Sequence, residues 1–283
     1  MKACNIFINL ARFSKNLMEI KNIGIVGSGT MACQIAEHFL RNNYMVTLYS
    51  RNDQGIRRCA DKIGRKIPVG GLRATTNLGE LKECDFLVES VVEDLEIKQE
   101  IFESLEGIAK AGAIIASNTS SIPIKMIAKN CRNKENILGV HFFNPVSHIA
   151  LVEVARTDFV SDEAFNSTID LIKKIGKEPV VVKDTPGYIC NRILFAMLNE
   201  AANILSEGVS SKEDIDRVMT LGALHPAGPL KIIDLVGIDV TVDILKNLQK
   251  ELDDNKFSPS PILMRMLKEN RLGRKTKKGF YDY

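Results

Sequence analysis

His141 and Glu153 are the residues of this chain whose types and spacing are best suited to moving a proton. His141 opens the segment HFFNP (141–145), and Glu153 follows twelve positions later. A histidine can exchange a proton with a hydroxyl group near neutral pH, and a carboxylate on its second ring nitrogen fixes the tautomer and stabilises the imidazolium. The pattern predicts a general base with an orienting partner. A histidine at a strand end can also be purely structural, so its neighbours must decide.

A glycine-rich segment, GSGTMA, runs from Gly27 to Ala32. It follows an apolar run and opens an amphipathic one, which favours a dinucleotide site over a plain strand-turn-helix junction. Gly27 permits the tight turn, Gly29 lets a pyrophosphate approach the main chain, and Thr30 and Met31 begin the helix whose amino end faces that anion. Together with the histidine segment, it predicts hydride exchange between a hydroxyl-bearing substrate and a nicotinamide cofactor.

The tip of the next strand bears on the choice between NAD(H) and NADP(H). About twenty residues after the glycines, an NAD enzyme usually offers a carboxylate to the ribose 2′-hydroxyl. Here Ser50 and Arg51 occupy that place. Because a guanidinium can pair with a 2′-phosphate and stack on adenine, the sequence slightly favours NADP(H). In the alternative interpretation, Arg51 faces solvent and Asp53 turns back to the ribose.

Short apolar runs alternate with amphipathic stretches through the first two thirds of the chain. The predicted strands are 23–26, 45–49, 86–89, 114–116, 138–141, 151–154 and 180–182, and the predicted helices include 31–41, 95–108, 122–128 and 165–175. This alternation is typical of an α/β Rossmann-type fold with a doubly wound, mainly parallel sheet. His141 then ends a strand at the carboxyl edge, where ligands bind, and Glu153 lies on a strand that can return beside it.

The pattern becomes helical after the turn at Pro186 and Gly187. The first of the later helices is predicted to bury an apolar stripe made of Ile189, Ile193, Met197, Ala201, Ile204 and Leu205. We predict an N-terminal extension (1–20), a dinucleotide-binding Rossmann domain (21–186) and an all-α domain (187–283). The extension is interpreted as a packing segment ahead of the first strand, although its basic, amphipathic character also faintly fits a presequence.

Composition and charge argue against several classes of protein. The net charge of +3, from 38 basic and 35 acidic residues, is too small to predict nucleic-acid binding. No apolar run approaches the roughly 20 residues of a membrane-spanning helix, so we predict a soluble, cytoplasmic protein. The six cysteines lie far apart without C-x-x-C spacing. We therefore predict neither a metal site nor a disulfide framework, as expected for a reducing compartment.

Several segments, in one order, resemble those of the 3-hydroxyacyl-CoA dehydrogenase family. They are GSGTMA (27–32), SNTSS (117–121), HFFNP (141–145), LVEV (151–154) and PGYICNR (186–192). The likeness runs from about Asn22 to Tyr283 and is strongest to short bacterial members that act on 3-hydroxybutyryl-CoA. It implies an oxidoreductase that transfers a hydride between a nicotinamide cofactor and C3 of a 3-hydroxyacyl thioester. It also implies that the helical domain binds substrate and forms a homodimer.

The resemblance implies a catalytic role for four side chains. His141 would be the general base and Glu153 its orienting partner, while Ser120 and Asn191 would hold the oxygens of the substrate. The alternative for Ser120 is a helix N-cap, and the alternative for Asn191 is plain solvent exposure. The predicted cofactor-binding residues are Gly27, Gly29, Thr30, Met31, Ser50, Arg51, Glu93 and Asn118.

Two departures from the family concern the carrier of the acyl group. Residues 52–84 form a shorter stretch than in the family, where a helical arm helps to hold coenzyme A, and Ala150 replaces a basic residue before LVEV. The shortened stretch, together with Ser50 and Arg51, favours as an alternative the same chemistry on an acyl-carrier-protein thioester or a free hydroxy acid. A second alternative is a non-catalytic dinucleotide sensor or scaffold. The presence of all four catalytic candidates argues against that alternative.

Overall fold

The computed structural model describes residues 17–66, 68 and 70–283. The chain divides into two compact units, of which the first ends at Asp184 and the second extends from Thr185 to Tyr283. Residues 1–16 lie outside the described residues, and so does most of the predicted N-terminal extension. At its end, Met18 and Ile20 pack against the core of the first unit.

An eight-stranded sheet forms the centre of the first unit. Its strands are β1 (Asn22–Val26), β2 (Met45–Tyr49), β3 (Leu72–Thr75), β4 (Phe86–Glu89), β5 (Ile114–Ser117), β6 (Ile137–Phe142), β7 (Leu151–Arg156) and β8 (Glu178–Lys183). Their order across the sheet is β3-β2-β1-β4-β5-β6-β7-β8. Every neighbouring pair is parallel except β6 with β7. The predicted doubly wound, mainly parallel sheet is confirmed.

Helices on both faces of the sheet explain its apolar central strands, since β4, β5 and β6 are buried along their whole length. The helices of this unit are α1 (Thr30–Arg41), α2 (Asp53–Gly64), α3 (Leu95–Ile108), α4 (Ile124–Ile127) and α5 (Asp162–Lys174). Asn52, Asp94 and Ser161 cap α2, α3 and α5 by accepting main-chain N–H groups. Strand order reverses between β1 and β4, which places a ligand crevice at their carboxyl ends.

The second unit is helical, and its helices are α6 (Cys190–Ser206), α7 (Lys212–Leu221), α8 (Pro229–Val236), α9 (Ile238–Leu252) and α10 (Pro261–Lys268). The apolar stripe predicted for α6 is wrong at its start. Phe195, Leu198 and Ala202 are buried in the core, whereas Ile189 and Ile193 are exposed. Apolar side chains occupy more than one face of this helix, so their spacing alone does not identify the buried face.

A disulfide joins Cys33 of α1 to Cys59 of α2, which corrects the prediction that the cysteines form no disulfide. Their Cα atoms lie 5.4 Å apart, within the range that a bridge spans. The two residues are 26 positions apart in sequence. They meet only because α1 and α2 pack side by side, so their spacing carried no signal.

Candidate active site

The glycine loop between β1 and α1 has the backbone that its sequence predicts. Gly27 has a φ of 123°, and its N–H donates to the carbonyl oxygen of Tyr49 at 2.9 Å. A Cβ atom at Gly27 would lie 2.4 Å from the carbonyl oxygen of Ser90. The turn therefore requires glycine for both its conformation and its close packing.

The amino end of α1 fits a dinucleotide phosphate. Gly29 is the N-cap residue, and no side chain of the described residues caps this end of the helix. A Cβ atom at Gly29 would meet nothing within 4 Å among the described atoms, so open space lies where a pyrophosphate would approach. Thr30 and Met31 form the first turn beside that space. Ala32 is buried, which lets helix and sheet pack closely.

The tip of β2 places Ser50 and Arg51 in different environments. Ser50 is buried, and its hydroxyl shares a hydrogen bond of 2.9 Å with that of Ser28 in the glycine loop. Arg51 is exposed, and Asp53 is exposed in the first turn of α2. Exposure of Arg51 is compatible with both earlier interpretations, because a 2′-phosphate ligand and bulk solvent both require access. The preference for NADP(H) therefore stays a prediction.

His141 and Glu153 face each other across β6 and β7. They are direct partners in the antiparallel register, and His141 Nδ1 lies 2.8 Å from Glu153 Oε2. Both residues are buried. Since an ionised carboxylate only accepts hydrogen bonds, this contact assigns the proton of the neutral ring to Nδ1 and leaves Nε2 as the acceptor. The predicted proximity of the two side chains is present, and the arrangement suits a general base.

Asn118 braces the strand ends around this pair. Its Oδ1 atom accepts the main-chain N–H of Phe142 at 2.9 Å, and its Nδ2 atom donates to Ser90 Oγ at 3.0 Å. These bonds connect the carboxyl ends of β4, β5 and β6. Asn118 therefore has a structural role that the sequence did not indicate, and its predicted contact with the cofactor stays a prediction.

Two residues that sequence reasoning missed hold the turn after HFFNP. Gln34 of α1 accepts the Val146 N–H at 2.7 Å and donates to Asn144 Oδ1 at 2.9 Å. Lys177 is buried, which lowers its pKa, and it donates to the carbonyl oxygens of Val146 and Ile149. A glutamine on an amphipathic helix and a lysine in a turn look solvent-facing in sequence, so neither gave a signal.

Ser120 lies in a turn that wraps around the carboxylate of Glu93. Glu93 Oε1 accepts from Thr119 Oγ1 at 2.6 Å and from the main-chain N–H groups of Ser120 and Ser121 at 3.0 Å. Burial would raise the pKa of Glu93, but the Lys98 ammonium and these hydrogen bonds lower it below its usual value. The sequence analysis predicted Glu93 as a cofactor ligand, and that contact stays a prediction. The structure shows in addition that the Glu93 carboxylate holds the turn that carries Ser120.

The N-cap alternative for Ser120 is wrong. Asp184 instead accepts the main-chain N–H groups of Ile124 and Lys125, at 2.7 and 2.8 Å, and so caps α4. The short helix begins at Ile124, two residues later than predicted. The hydroxyl of Ser120 is therefore not committed to helix capping.

Asn191 belongs to the second unit, in the first turn of α6. It is only 7% exposed, so the solvent-exposure alternative is wrong. A buried amide normally has hydrogen-bond partners and a fixed orientation.

Within the first unit, a dinucleotide loop at the switch point of a parallel sheet and a histidine oriented by a carboxylate share one edge of the sheet. This combination defines a nicotinamide-dependent dehydrogenase that acts on a CH–OH group. Among the residues that the structure describes, no helix is both long enough and apolar enough to cross a membrane.

Comparison with known proteins narrows this class. The family model "3-hydroxyacyl-CoA dehydrogenase, NAD binding domain" matches residues 22–185, and the C-terminal domain model of the same family matches residues 187–283. The chain is 41% identical over 277 residues to the 3-hydroxybutyryl-CoA dehydrogenase of Clostridioides difficile, which covers 92% of this chain and 99% of that one. It is 36% identical to the mitochondrial hydroxyacyl-coenzyme A dehydrogenase of Homo sapiens, with coverage of 93% and 91%.

A solved structure gives the same answer. The (S)-3-hydroxybutyryl-CoA dehydrogenase PaaH1 from Ralstonia eutropha matches with a TM-score of 0.90 at 34% identity, over 94% of this chain and 99% of that one. The chain belongs to the 3-hydroxyacyl-CoA dehydrogenase family. It is an oxidoreductase that transfers a hydride between a nicotinamide cofactor and C3 of a 3-hydroxyacyl thioester.

Proposed function

We propose that His141 is the general base of this dehydrogenase and that Glu153 orients it. The hydrogen bond of 2.8 Å between His141 Nδ1 and Glu153 Oε2 carries the proposal. With Nδ1 protonated, Nε2 accepts the proton of the C3 hydroxyl, and Glu153 stabilises the imidazolium that forms. Nicotinamide, when bound, supplies the acceptor of the C3 hydride. The 3-oxo thioester results, and the reverse reaction returns the same proton from His141.

Ser120 and Asn191 are proposed to hold the oxygens of the substrate. A hydroxyl and an amide can both donate a hydrogen bond to a carbonyl oxygen, which polarises it as negative charge develops. The burial of Asn191 supports this role, because a buried amide keeps a defined orientation.

For the cofactor, we propose that the glycine loop binds the pyrophosphate and that Glu93 and Asn118 line the nicotinamide half of the site. The uncapped amino end of α1 supports the first part, and the location of both side chains after the neighbouring strands β4 and β5 supports the second. Arg51 is proposed to favour NADP(H), because its exposed guanidinium follows β2 where the ribose 2′ position is read.

We propose a short acyl-CoA such as 3-hydroxybutyryl-CoA as substrate, in line with the names of the relatives. One observation favours a carrier-protein thioester as the second candidate. Only residues 65–71 connect α2 to β3, and on α2 the exposed Arg57, Arg58 and Lys62 outnumber the exposed Asp53 and Asp61. A small excess of basic side chains suits an acidic protein partner.

A homodimer and a cytoplasmic location complete the proposal. Several exposed apolar side chains on the second unit support self-association, because an interface would remove them from water. They include Ile193, Val218, Leu221, Leu224 and Leu235.

The experiment that tests this function follows the oxidation of NADPH and NADH with acetoacetyl-CoA, for the wild type and for His141→Gln. We expect wild-type turnover and a loss in kcat of about 10²- to 10⁴-fold in the variant, the usual contribution of a general base. Cofactor affinity, measured by NADPH fluorescence, should stay within about twofold because His141 does not hold the phosphates. His148→Gln is the matched control, since His148 is exposed.

Undiminished turnover by His141→Gln would overturn the assigned base. Tight cofactor binding without turnover of acetoacetyl-CoA would instead reject the coenzyme A thioester. The same assay with acetoacetyl on an acyl carrier protein would then test the second candidate.

A further inference from the structure

Glu89, the last residue of β4, is a carboxylate with no exposed surface. Its Oε1 atom accepts the Val91 N–H at 2.7 Å and the Lys98 Nζ donor at 2.8 Å. Its Oε2 atom accepts from Ser117 Oγ at 2.6 Å and again from Lys98 at 3.0 Å. Burying a carboxylate is costly unless it is paired and hydrogen-bonded, and this one is both. Glu89 is therefore a carboxylate fixed in place at the carboxyl end of a central strand.

Lys98 of α3 connects this anion to a second carboxylate. Its side chain is also fully buried, and Nζ lies 3.2 Å from Glu93 Oε2 in addition to its two contacts with Glu89. An ammonium group has three donors, so these three contacts define its direction. The position of Glu93 is consequently coupled to that of Glu89 through one buried cation.

Glu93 passes this constraint to the turn at 119–121. Besides the bonds to the main chain of Ser120 and Ser121, its Oε1 atom accepts from Thr119 Oγ1 and from Ser121 Oγ. Four donors from three consecutive residues converge on one oxygen. The turn that carries Ser120 is therefore built around the Glu93 carboxylate.

We propose that Glu89 is a positioning residue for substrate binding, acting through Lys98 and Glu93 on the turn that presents Ser120. The inference rests on the role proposed for Ser120 in the reaction. A buried ion pair is seldom the cheapest way to stabilise a core, since well-packed apolar residues often do as well. Here the network instead specifies one arrangement of a turn beside the site, through bonds that lose their geometry when one partner changes.

Glu89→Gln tests the proposal because it keeps the shape and removes the charge. With Gln at position 89, Glu93 is the only carboxylate paired with Lys98, and a donating NH2 replaces one of the two oxygens that Lys98 and Ser117 contact. The ammonium group, the carboxylate of Glu93 and the turn should therefore shift together. We expect kcat/KM for the acyl thioester to fall about tenfold or more, since displacements of about 1 Å at a reacting group have effects of that order. The assay is run at saturating cofactor, because Glu93 is also proposed to line the nicotinamide half of the site and cofactor affinity should fall with it.

The matched control is Glu37→Gln. Glu37 is a buried carboxylate of α1 that pairs with two cations, Arg41 and Lys66, on another part of the same unit. It should leave kcat/KM within about twofold, because the turn at 119–121 does not depend on it. If both variants lower kcat/KM equally, the effect of Glu89 is general destabilisation and the proposal is overturned.

A double-mutant cycle with Ser120→Ala separates positioning from a structural role. If Glu89 acts through Ser120, Glu89→Gln should lower kcat/KM less than about twofold once Ser120 is alanine. An undiminished effect in that background contradicts the proposal. Ser117→Ala, which removes one hydrogen bond and no charge, is the variant for the case in which Glu89→Gln does not fold. A loss in the same direction, about threefold, is expected from it.

Hydrogen exchange, which does not depend on turnover, distinguishes failure of the positioning role of Glu89 from failure of the proposed function. The amide protons of Ser120 and Ser121 are bonded to Glu93, so Glu89→Gln should increase their hydrogen exchange rates about tenfold, whereas Glu37→Gln should not. If Glu89→Gln speeds this exchange but the wild-type protein fails to reduce acyl thioesters, the proposed function is rejected and the positioning role of Glu89 is retained. If the wild-type protein is active and Glu89→Gln leaves the exchange unchanged, only the positioning role of Glu89 is rejected.

Discussion

Arg51 is the residue at which a single substitution should change the choice of cofactor. Arg51→Asp replaces the cation that would pair with a 2′-phosphate by a carboxylate that repels the phosphate and accepts the 2′-hydroxyl of NADH. A hydrogen bond to a charged group contributes about 1.5 to 3 kcal/mol, so the ratio of kcat/KM for NADPH to that for NADH should fall about 10- to 100-fold.

Steady-state kinetics with both cofactors measures this ratio, with Arg58→Asp as the control. Arg58 is also exposed but lies further along α2, so it changes the net charge equally without reaching the ribose. Equal losses with both cofactors in Arg51→Asp would show that Arg51 does not read the 2′ position.

Some residues of the site could be predicted from their residue type alone, whereas others could not. His141, Glu153 and the two glycines were found because few residues can replace them in their chemistry or backbone. Glu89 and Lys98 gave no such signal. A glutamate that closes an apolar strand and a lysine on a helix both look solvent-facing until the fold brings them together.

Among the elements, α1 and α2 are joined by the Cys33–Cys59 disulfide, which should contribute measurably to stability. Closing a loop of 26 residues corresponds to a stabilisation of about 3.5 kcal/mol from the reduced entropy of the unfolded chain. Dithiothreitol should therefore lower the free energy of unfolding by about that amount, as followed by urea denaturation.

Cys59→Ala provides the control, because it removes the bridge and should make the unfolding curve insensitive to dithiothreitol. Cys84→Ala, which leaves the bridge intact, should keep the full response. Identical wild-type curves with and without reductant would mean that the bridge is absent or makes no difference to stability.

Strands and helices with a clear buried face were predicted from the sequence better than those without one. Strands β2 and β4 and helix α3 have the bounds that were predicted, because continuous apolar runs or a clear helical period define them. Strand β3 was missed, since LRAT at the edge of the sheet buries only its last residue. The buried face of α6 was misjudged at its start for the opposite reason, since apolar residues there also face solvent.

For the molecule as a whole, the proposed dimer should depend on the exposed apolar surface of the second unit. Leu221→Asp replaces one exposed apolar side chain of that unit by a charge, and burying an unpaired charge in an interface costs about 2 kcal/mol or more. The dissociation constant should rise about 30-fold or more, which sedimentation velocity across a concentration series measures.

Val181→Asp is the corresponding control, because Val181 is an exposed valine on β8 of the first unit. It should leave the sedimentation of the protein unchanged. A wild-type chain that sediments as a monomer at all concentrations would reject the dimer, and dissociation by Val181→Asp alone would place the interface on the first unit.

The register of β6 and β7 has a consequence for how such an enzyme can diversify. His141 and Glu153 are opposite each other through main-chain pairing, so their spacing does not depend on the connection between the two strands. Exposed residues of the turn, such as Ser147 and His148, can therefore be exchanged in a descendant or a grafted design while the two side chains stay opposite each other. A shift of β7 by one residue, in contrast, would turn Glu153 to the other face of the sheet. The sequence of the turn can thus vary, whereas the pairing of the two side chains is preserved by the strands.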